Sequence, residues 1–538
     1  MHLMTLLRPV SQIMPFSSYF KVLPVCLGVL LFFPLTGQSE AKTIHIGDGK
    51  GEIHIDSMKS MEEGDMVIIK HGTYAGGSIS NLTNVTIVPE APGVTFNGPI
   101  HIGKNKKVTI DGTTLAPATD GDTPATPEDT PKDAHSREIV YGYTFTGFDG
   151  HSFLPTWNNT DLTLKGMWFK NTSAVDGSGE LMTYTGEPET TLYYNLTIDT
   201  AKFTGQATIY DGTWAPPKTY KNVNIGMVMK NIIFLNDGTQ QNTKFFGQSV
   251  YKLVADHWIV IGPTINLHDV GIIVFHGNGT IKNFYRNGGW GYVARVWNVS
   301  LGEIADSYFY NVIDVNSTRY GTIDSRVDAG ELAEKASMPV LGGNMHIFNV
   351  TSGNKYDVTN EYITPMLVLG TMSGNDGHQY TTEIKNCFGF HPIGGDQPLC
   401  LYANFSQGPP KAPIDQSNNM SIPGAAPATK YKGGALPSGY LADMIKFFPS
   451  EGSKLIGAGT PLPQVTTDIY GNPRSDSNDI GAVQHVEGNS DDKASQFFGE
   501  TLKMLNDNPT MSSPEGELDP IHPIKPKDSK PTEATDSK

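Results

Sequence analysis

Cysteine is almost missing from this chain: three occur in 538 residues. Cys26 lies in an apolar N-terminal stretch, which leaves Cys387 and Cys400 with twelve residues between them. A scaffold of disulfide staples is therefore excluded. An oxidising compartment would permit one bridge between the two, and a pair of buried thiols in neighbouring strands satisfies the sequence equally. Basic residues are also scarce, with Lys and Arg totalling 39 against 55 acidic residues and a formal net charge of −16. That field repels nucleic acid and anionic membrane surfaces. Beyond residue 41 no apolar run approaches the ~20 residues of a membrane helix. Between Thr43 and His485 no sustained 3.6-residue period occurs, which excludes helical and leucine-rich repeats.

What is present begins with a leader. Lys21 gives a positive start, Val22 to Leu35 an apolar core broken by Pro24 and Pro34, and Ser39-Glu40-Ala41 a small-x-small cleavage site. This predicts a secretory signal peptide over residues 1–41. Its removal takes Arg8, Lys21 and Glu40 with it, so the mature chain carries −17. The residues before Cys26 do not fit a lipid-anchor site. The expectation is a secreted protein, extracellular, periplasmic or cell-surface, with no integral membrane segment.

The mature chain repeats one phrase: a β-branched run, an Asn or Asp, a second short apolar run, then a turn. Lys107-Val-Thr-Ile-Asp-Gly, Asn195-Leu-Thr-Ile-Asp-Thr-Ala-Lys-Phe, Gly279-Thr-Ile-Lys-Asn-Phe-Tyr and Thr382-Glu-Ile-Lys-Asn-Cys-Phe are examples. Spacings such as Ile281 to Ile304 and Asn195 to Asn222 fall in the range of about 20–30 residues that marks a solenoid. Alternation at period two and enrichment in Val, Ile, Thr and aromatics make its elements strands. Three short strands per coil, about 10–14 coils, apolar or Asn-stacked interiors and glycine at the corners follow from the pattern.

Two motifs carry a family resemblance. Gly64-Asp-Met-Val-Ile-Ile-Lys-His-Gly-Thr-Tyr, near the start, and Asp468-Ile-Tyr-Gly-Asn-Pro-Arg with Asp479-Ile-Gly-Ala-Val, near the end, resemble the opening and closing coils of the right-handed parallel β-helix superfamily. That group includes pectate lyases, chondroitinase B-type and alginate lyases, and mannuronan epimerases. The resemblance spans roughly Thr43 to Gln484. It implies an all-β, single-stranded right-handed parallel β-helix with an N-terminal cap over residues 42–486. It says little about chemistry, since the same ends occur in members with different activities. A Pro-, Thr-, Ala- and Asp-rich stretch near 113–138 and a Pro-, Ala- and Gly-rich one near 408–439 read as insertions. Residues 487–507 hold a short capping helix over the last coil, and 508–538, rich in proline and charge, read as a disordered tail.

The stretch from Asp256 to Asp328 concentrates chemistry: His257, Trp258, His276, Arg286, Trp290, Tyr292, Arg295, Trp297, Arg319, Tyr320, Asp324, Arg326. A solenoid stacks equivalent positions ~4.8 Å apart, so these residues can share a face. Aromatic rings suit pyranose faces, and guanidinium pairs bidentately with uronate carboxylates or sulfates. The β-elimination of the resembled lyases needs a cation to neutralise the uronate, a base for its C5 proton and an acid at the leaving oxygen. Arg286, Arg295 and Arg319 are the candidate cations, His276 (or His257) the base, and Tyr292 (or Tyr320) the acid. His257, Trp290, Trp297, Tyr320 and Arg326 are candidate substrate contacts. Any of these, taken singly, also fits a structural role.

The resemblance leaves calcium open as a cofactor. Asp306, Asp314, Asp324 and Asp328 would have to converge in the fold to hold it. Lys282 shares a repeat column with Ala305 and Lys385 and reads as structural. The leading expectation is a lyase acting on an acidic extracellular polysaccharide, as a monomer and without nucleic acid. A non-catalytic carbohydrate-binding, matrix or adhesin protein, and a hydrolase or epimerase on the same scaffold, are the alternatives.

Overall fold

A computed structural model describes residues 41–56, 61–113, 141–146, 152–157, 159–170, 173–177, 193–204, 208–212, 226–235, 244–247, 252–261, 273–276, 278–287, 292–297, 299–301, 306–315, 322–326, 340–353, 367–369, 380–391, 400–402, 414–423, 429–431, 447–449, 451–474, 478–487 and 493–499. The two insertions and the tail fall mainly or wholly outside these residues.

The strands stack in parallel along one axis. One sheet has 19 strands and a second has 12, each strand paired with its counterpart in the next coil. Parallel pairing of sequential coils, joined by right-handed crossovers, makes the molecule a right-handed parallel β-helix, as the sequence predicts.

The central strands of the long sheet are nine residues each: Met227–Leu235, Leu253–Ile261, Gly279–Asn287, Ser307–Val315 and Met345–Gly353. The fifth residue of every one is left-handed: Asn231 (φ 56°), His257 (57°), Asn283 (51°), Asn311 (55°) and Asn349 (52°). Gly166, Thr200, Asn386 and Asn418 continue the column. Glycine was the expected corner residue, yet asparagine holds most of these positions. Its short amide tolerates the left-handed region and bonds locally, here to the neighbouring coil: Asn231 to Asp199 (2.8 Å), Asn283 to Asp256 (2.8 Å), Asn311 to Asn283 (3.1 Å). The bend turns each long strand from one face of the solenoid to the next.

Inside, Phe96, Phe145, Phe169, Phe203 and Phe234 stack with centroids 5.4, 4.7, 4.9 and 4.6 Å apart. Trp258 is fully buried beside them, its Nε1 donating to the Met229 carbonyl at 2.9 Å. Cys387 is buried, its Sγ 3.5 Å from the carbonyl oxygens of Ile347 and Lys385.

The closing motif does not form a last coil. The described residues 447–449, 451–474 and 478–487 lie along the flank as a strap. Phe447, Leu455, Ile469, Tyr470, Ile480 and Val483 cover Ile233, Ile259, Tyr285, Ile313 and Phe388. Corner asparagines anchor it: Asn311 donates to the Thr467 carbonyl (2.8 Å), Asn349 to those of Asp479 and Gly481 (both 3.1 Å), and Asn386 to that of Thr460 (2.8 Å). Within the strap, Arg474 donates to the Gly481 carbonyl (2.8 Å), and burial pulls its guanidinium down to about 10. Asp468 accepts from the backbone of Tyr470, Asn472 and Gln484. The predicted capping helix is a single short one, 493–499. Its Phe498 meets Tyr285 edge-on at 4.9 Å, so it caps the flank of a central coil rather than the end of the solenoid.

Candidate functional site

Three consecutive strands of the 12-stranded sheet gather part of the sequence cluster: Ile273–His276, Ala294–Trp297 and Ile323–Arg326. Their register pairs Arg295 with Val274 and Asp324, and Trp297 with His276 and Arg326. Ile273, Ala294, Val296 and Ile323 are fully buried and form the inner face. The register sets His276, Trp297 and Arg326 in one column and Val274, Arg295 and Asp324 in another, both alternating along the strands with the buried positions. Four of the predicted residues, from three separate stretches of sequence, thus occupy adjacent columns on neighbouring rungs ~4.8 Å apart.

The structure withdraws two others. Arg286 is fully buried: its Nε donates to Asp314 Oδ1 at 2.6 Å and its Nη2 to Oδ2 at 2.8 Å. A guanidinium sealed in the interior cannot meet a polymer carboxylate. Tyr292 is 2% exposed, so its phenol is not available to a leaving group at the surface. Arg319, Tyr320 and Trp290 lie outside the described residues.

His257 stands apart, at the left-handed corner of the long sheet. Its Nδ1 lies 2.7 Å from Asp256 Oδ1, and Lys282 Nζ lies 3.1 Å from Asp256 Oδ2. Burial pushes Asp256 up, but the His257 and Asn283 bonds and the Lys282 charge outweigh it and hold the carboxyl below its usual range. Lys282 feels the same competition: burial lowers it, while Asp256 and Tyr310 hold it above its ordinary value. The reading of Lys282 as a structural lysine fits this bridge.

Further along the same outer face, sequence reasoning missed a second polar ladder. Tyr308 stacks on His346 with centroids 4.4 Å apart, His346 Nδ1 lies 2.6 Å from Glu383 Oε2, and Lys385 joins Glu383 and Asp415 at 2.9 Å each. The Lys385 hydrogen bond, with His346 helping, holds Glu383 below its usual range. Aligning the repeats on their corner asparagines puts these residues one and three places before the corner. That alignment is the signal that would have found them.

The acidic set offered for calcium is partly committed elsewhere. Asp314 is spent on Arg286, and Asp306 accepts from the Asn344 backbone and side chain at 3.1 and 3.0 Å. Among the described residues no group of three or more His, Cys, Asp or Glu side chains is placed to hold a metal ion. No described helix is long and apolar enough to cross a membrane.

No family profile and no curated protein matches the chain. Among solved structures it is similar to the pectate lyase Pel9A, at 11% identity and TM-score 0.35, over 84% of this chain and 98% of the other. The PL6-family alginate lyase AlyGC gives 10% identity and TM-score 0.37, over 82% and 59%. A PL6 alginate lyase in complex with a trisaccharide gives 11% and 0.33, over 72% and 91%. The class of the protein, a parallel β-helix, is defined by its own strand register, rung by rung.

Proposed function

We propose that this is a secreted, monomeric polysaccharide-active protein that holds an acidic extracellular glycan on the outer face of its central rungs and cleaves it by β-elimination. One observation supports the reading: the register that sets His276, Trp297 and Arg326 in one column with Arg295 two positions away on the middle strand. On this reading Arg295 pairs with the uronate carboxylate, which makes the C5 proton more acidic. His276 takes that proton, the electron pair forms the C4–C5 double bond, and the C4–oxygen bond breaks with the leaving oxygen gaining a proton. Trp297 stacks on a neighbouring ring and Arg326 pairs with the next carboxylate along the chain. Arg319, Tyr320 and Trp290 belong to the same proposal.

The binding-only alternative draws on a specific finding, the burial of Tyr292, which removes one of the two acids that the sequence offers. Incubation with alginate, polygalacturonate, chondroitin sulfate and neutral glycans, with and without calcium, separates the readings. A lyase raises the ultraviolet absorbance of unsaturated uronates on one polymer, and Arg295→Ala abolishes the rise. Reducing ends without absorbance would indicate a hydrolase. Binding with neither signal would establish a glycan-holding surface and end the catalytic assignment.

A further inference from the structure

The interior carries one feature that packing does not explain. The stacked column Phe169–Phe203–Phe234 continues by register through Val260 into Arg286, Asp314 and Ser352. An apolar column thus turns ionic in the middle of the solenoid, with Arg286 fully buried and Asp314 1% exposed. A buried ion pair is weak evidence for stability, because apolar residues of similar volume often do as well or better. Its value must lie in where it holds things.

Its connections run to the glycan face. Asp314 Oδ2 also accepts from Thr322 Oγ1 at 2.8 Å, and Thr322 Oγ1 lies 2.6 Å from Ser352 Oγ. Thr322 immediately precedes the strand Ile323–Arg326. Its carbonyl accepts from the Val293 amide at 2.8 Å and the Ala294 amide at 3.2 Å. The Val293 carbonyl in turn accepts from the Ile273 amide at 3.0 Å. One continuous chain of bonds therefore leads from Arg286 through Asp314 and Thr322 to the first residues of all three strands that bear His276, Arg295, Trp297 and Arg326.

We infer that the buried Arg286–Asp314–Thr322 network is a positioning clamp that sets the relative placement of these three strands. This rests on the glycan-face reading for its purpose, though not for its structural content. Arg286 and Asp314 are positioning residues here and touch no substrate. Two residues at the ends of long strands, which look like surface candidates in the sequence, act on the surface from beneath it.

The test compares Thr322→Val, Thr322→Ser and the double replacement Arg286→Met with Asp314→Leu. Thermal melting, amide exchange across 293–297 and 323–326, and affinity for alginate and polygalacturonate are measured in the full chain. The double variant, apolar and similar in volume, is expected to melt near the wild type while its strand-start amides exchange about tenfold faster and polymer binding falls about tenfold. Thr322→Val is expected to do the same and Thr322→Ser to restore wild-type behaviour. A stable double variant that exchanges and binds like the wild type overturns the clamp. If the wild type ignores both polymers, the functional reading falls, and the exchange data alone decide the clamp: unchanged exchange in Thr322→Val rejects it.

Discussion

Lys282 and Lys385 each reach a carboxylate on the outer face, at 3.1 and 2.9 Å, and the pairs fix how the molecule responds to pH. Asp256 and Glu383 are held below their usual values. The stability they contribute is present in full above their unfolded values and is lost as pH falls through the lowered ones. The Glu383 and Asp415 bonds raise Lys385, and Asp256 with Tyr310 outweighs burial to raise Lys282. Their contribution is present below the unfolded lysine value and is lost as pH rises through the raised one. Asp468 runs the other way, since burial raises it, and it gains by protonation in acid. Partial exposure screens the pairs, so the effect is modest. Melting temperature against pH should show a plateau from about pH 5 to 10 with a fall on either side; Glu383→Gln should flatten the acid limb. At the same scale, Arg295→Ala should weaken acidic-glycan binding about 10- to 100-fold, the loss of a charged hydrogen-bond pair worth ~1.5–3 kcal/mol. Titration calorimetry checks it. Arg286 shows why residues are harder to read than the fold. Strand alternation places 279 and 281 inside, but the left-handed Asn283 resets the parity, so 284 and 286 face inward instead of 285. Carrying period two across that corner sends Arg286 to the wrong face.

The corner is the element where sequence and fold meet most directly. Its asparagine is visible in most repeats, as in Lys282-Asn283 and Lys385-Asn386. His257 is the instructive departure: the residue one rung back, where Asp199 serves Asn231 and Asp256 serves Asn283, is Lys230, which accepts nothing. The imidazole turns instead to Asp256 in its own strand. Asn349 has the most at stake, since its buried amide donates to two strap carbonyls. Asn349→Ala should cost about 2–4 kcal/mol through the lost bonds and the left-handed strain. Asn349→Gly should cost about 1 kcal/mol less, because glycine removes the strain alone. Denaturant unfolding of the two variants measures the difference. The strap itself was misplaced by sequence reasoning. Asp468, Arg474 and Asp479 were legible as a motif, but the partners of Thr467, Arg474 and Asp479 on the coils lie more than a hundred residues away, at Asn311 and Asn349, and no local period encodes that distance.

Across the whole molecule, the strap joins coils that a simple solenoid would couple only to their neighbours. It bonds at Asn311, Asn349 and Asn386 and packs from Ile233 to Phe388. A chain ending before residue 447 should expose that apolar flank, bind a hydrophobic dye and unfold with a lower denaturant slope per residue; an unchanged single transition would show that the strap is a passenger. The solenoid as a class was legible because its period recurs along the whole chain. The candidate site was legible only in part: the register brings His276, Arg295, Trp297 and Arg326 onto neighbouring rungs, while Arg286 and Tyr292 are buried. The most direct test is a hydrogen-exchange footprint taken with a saturating oligouronate from whichever polymer the protein binds. Slowed exchange concentrated in 273–276, 294–297 and 323–326 is the predicted result. Protection instead along the Tyr308–His346–Glu383 ladder, with those three strands unchanged, would contradict the placement of the site.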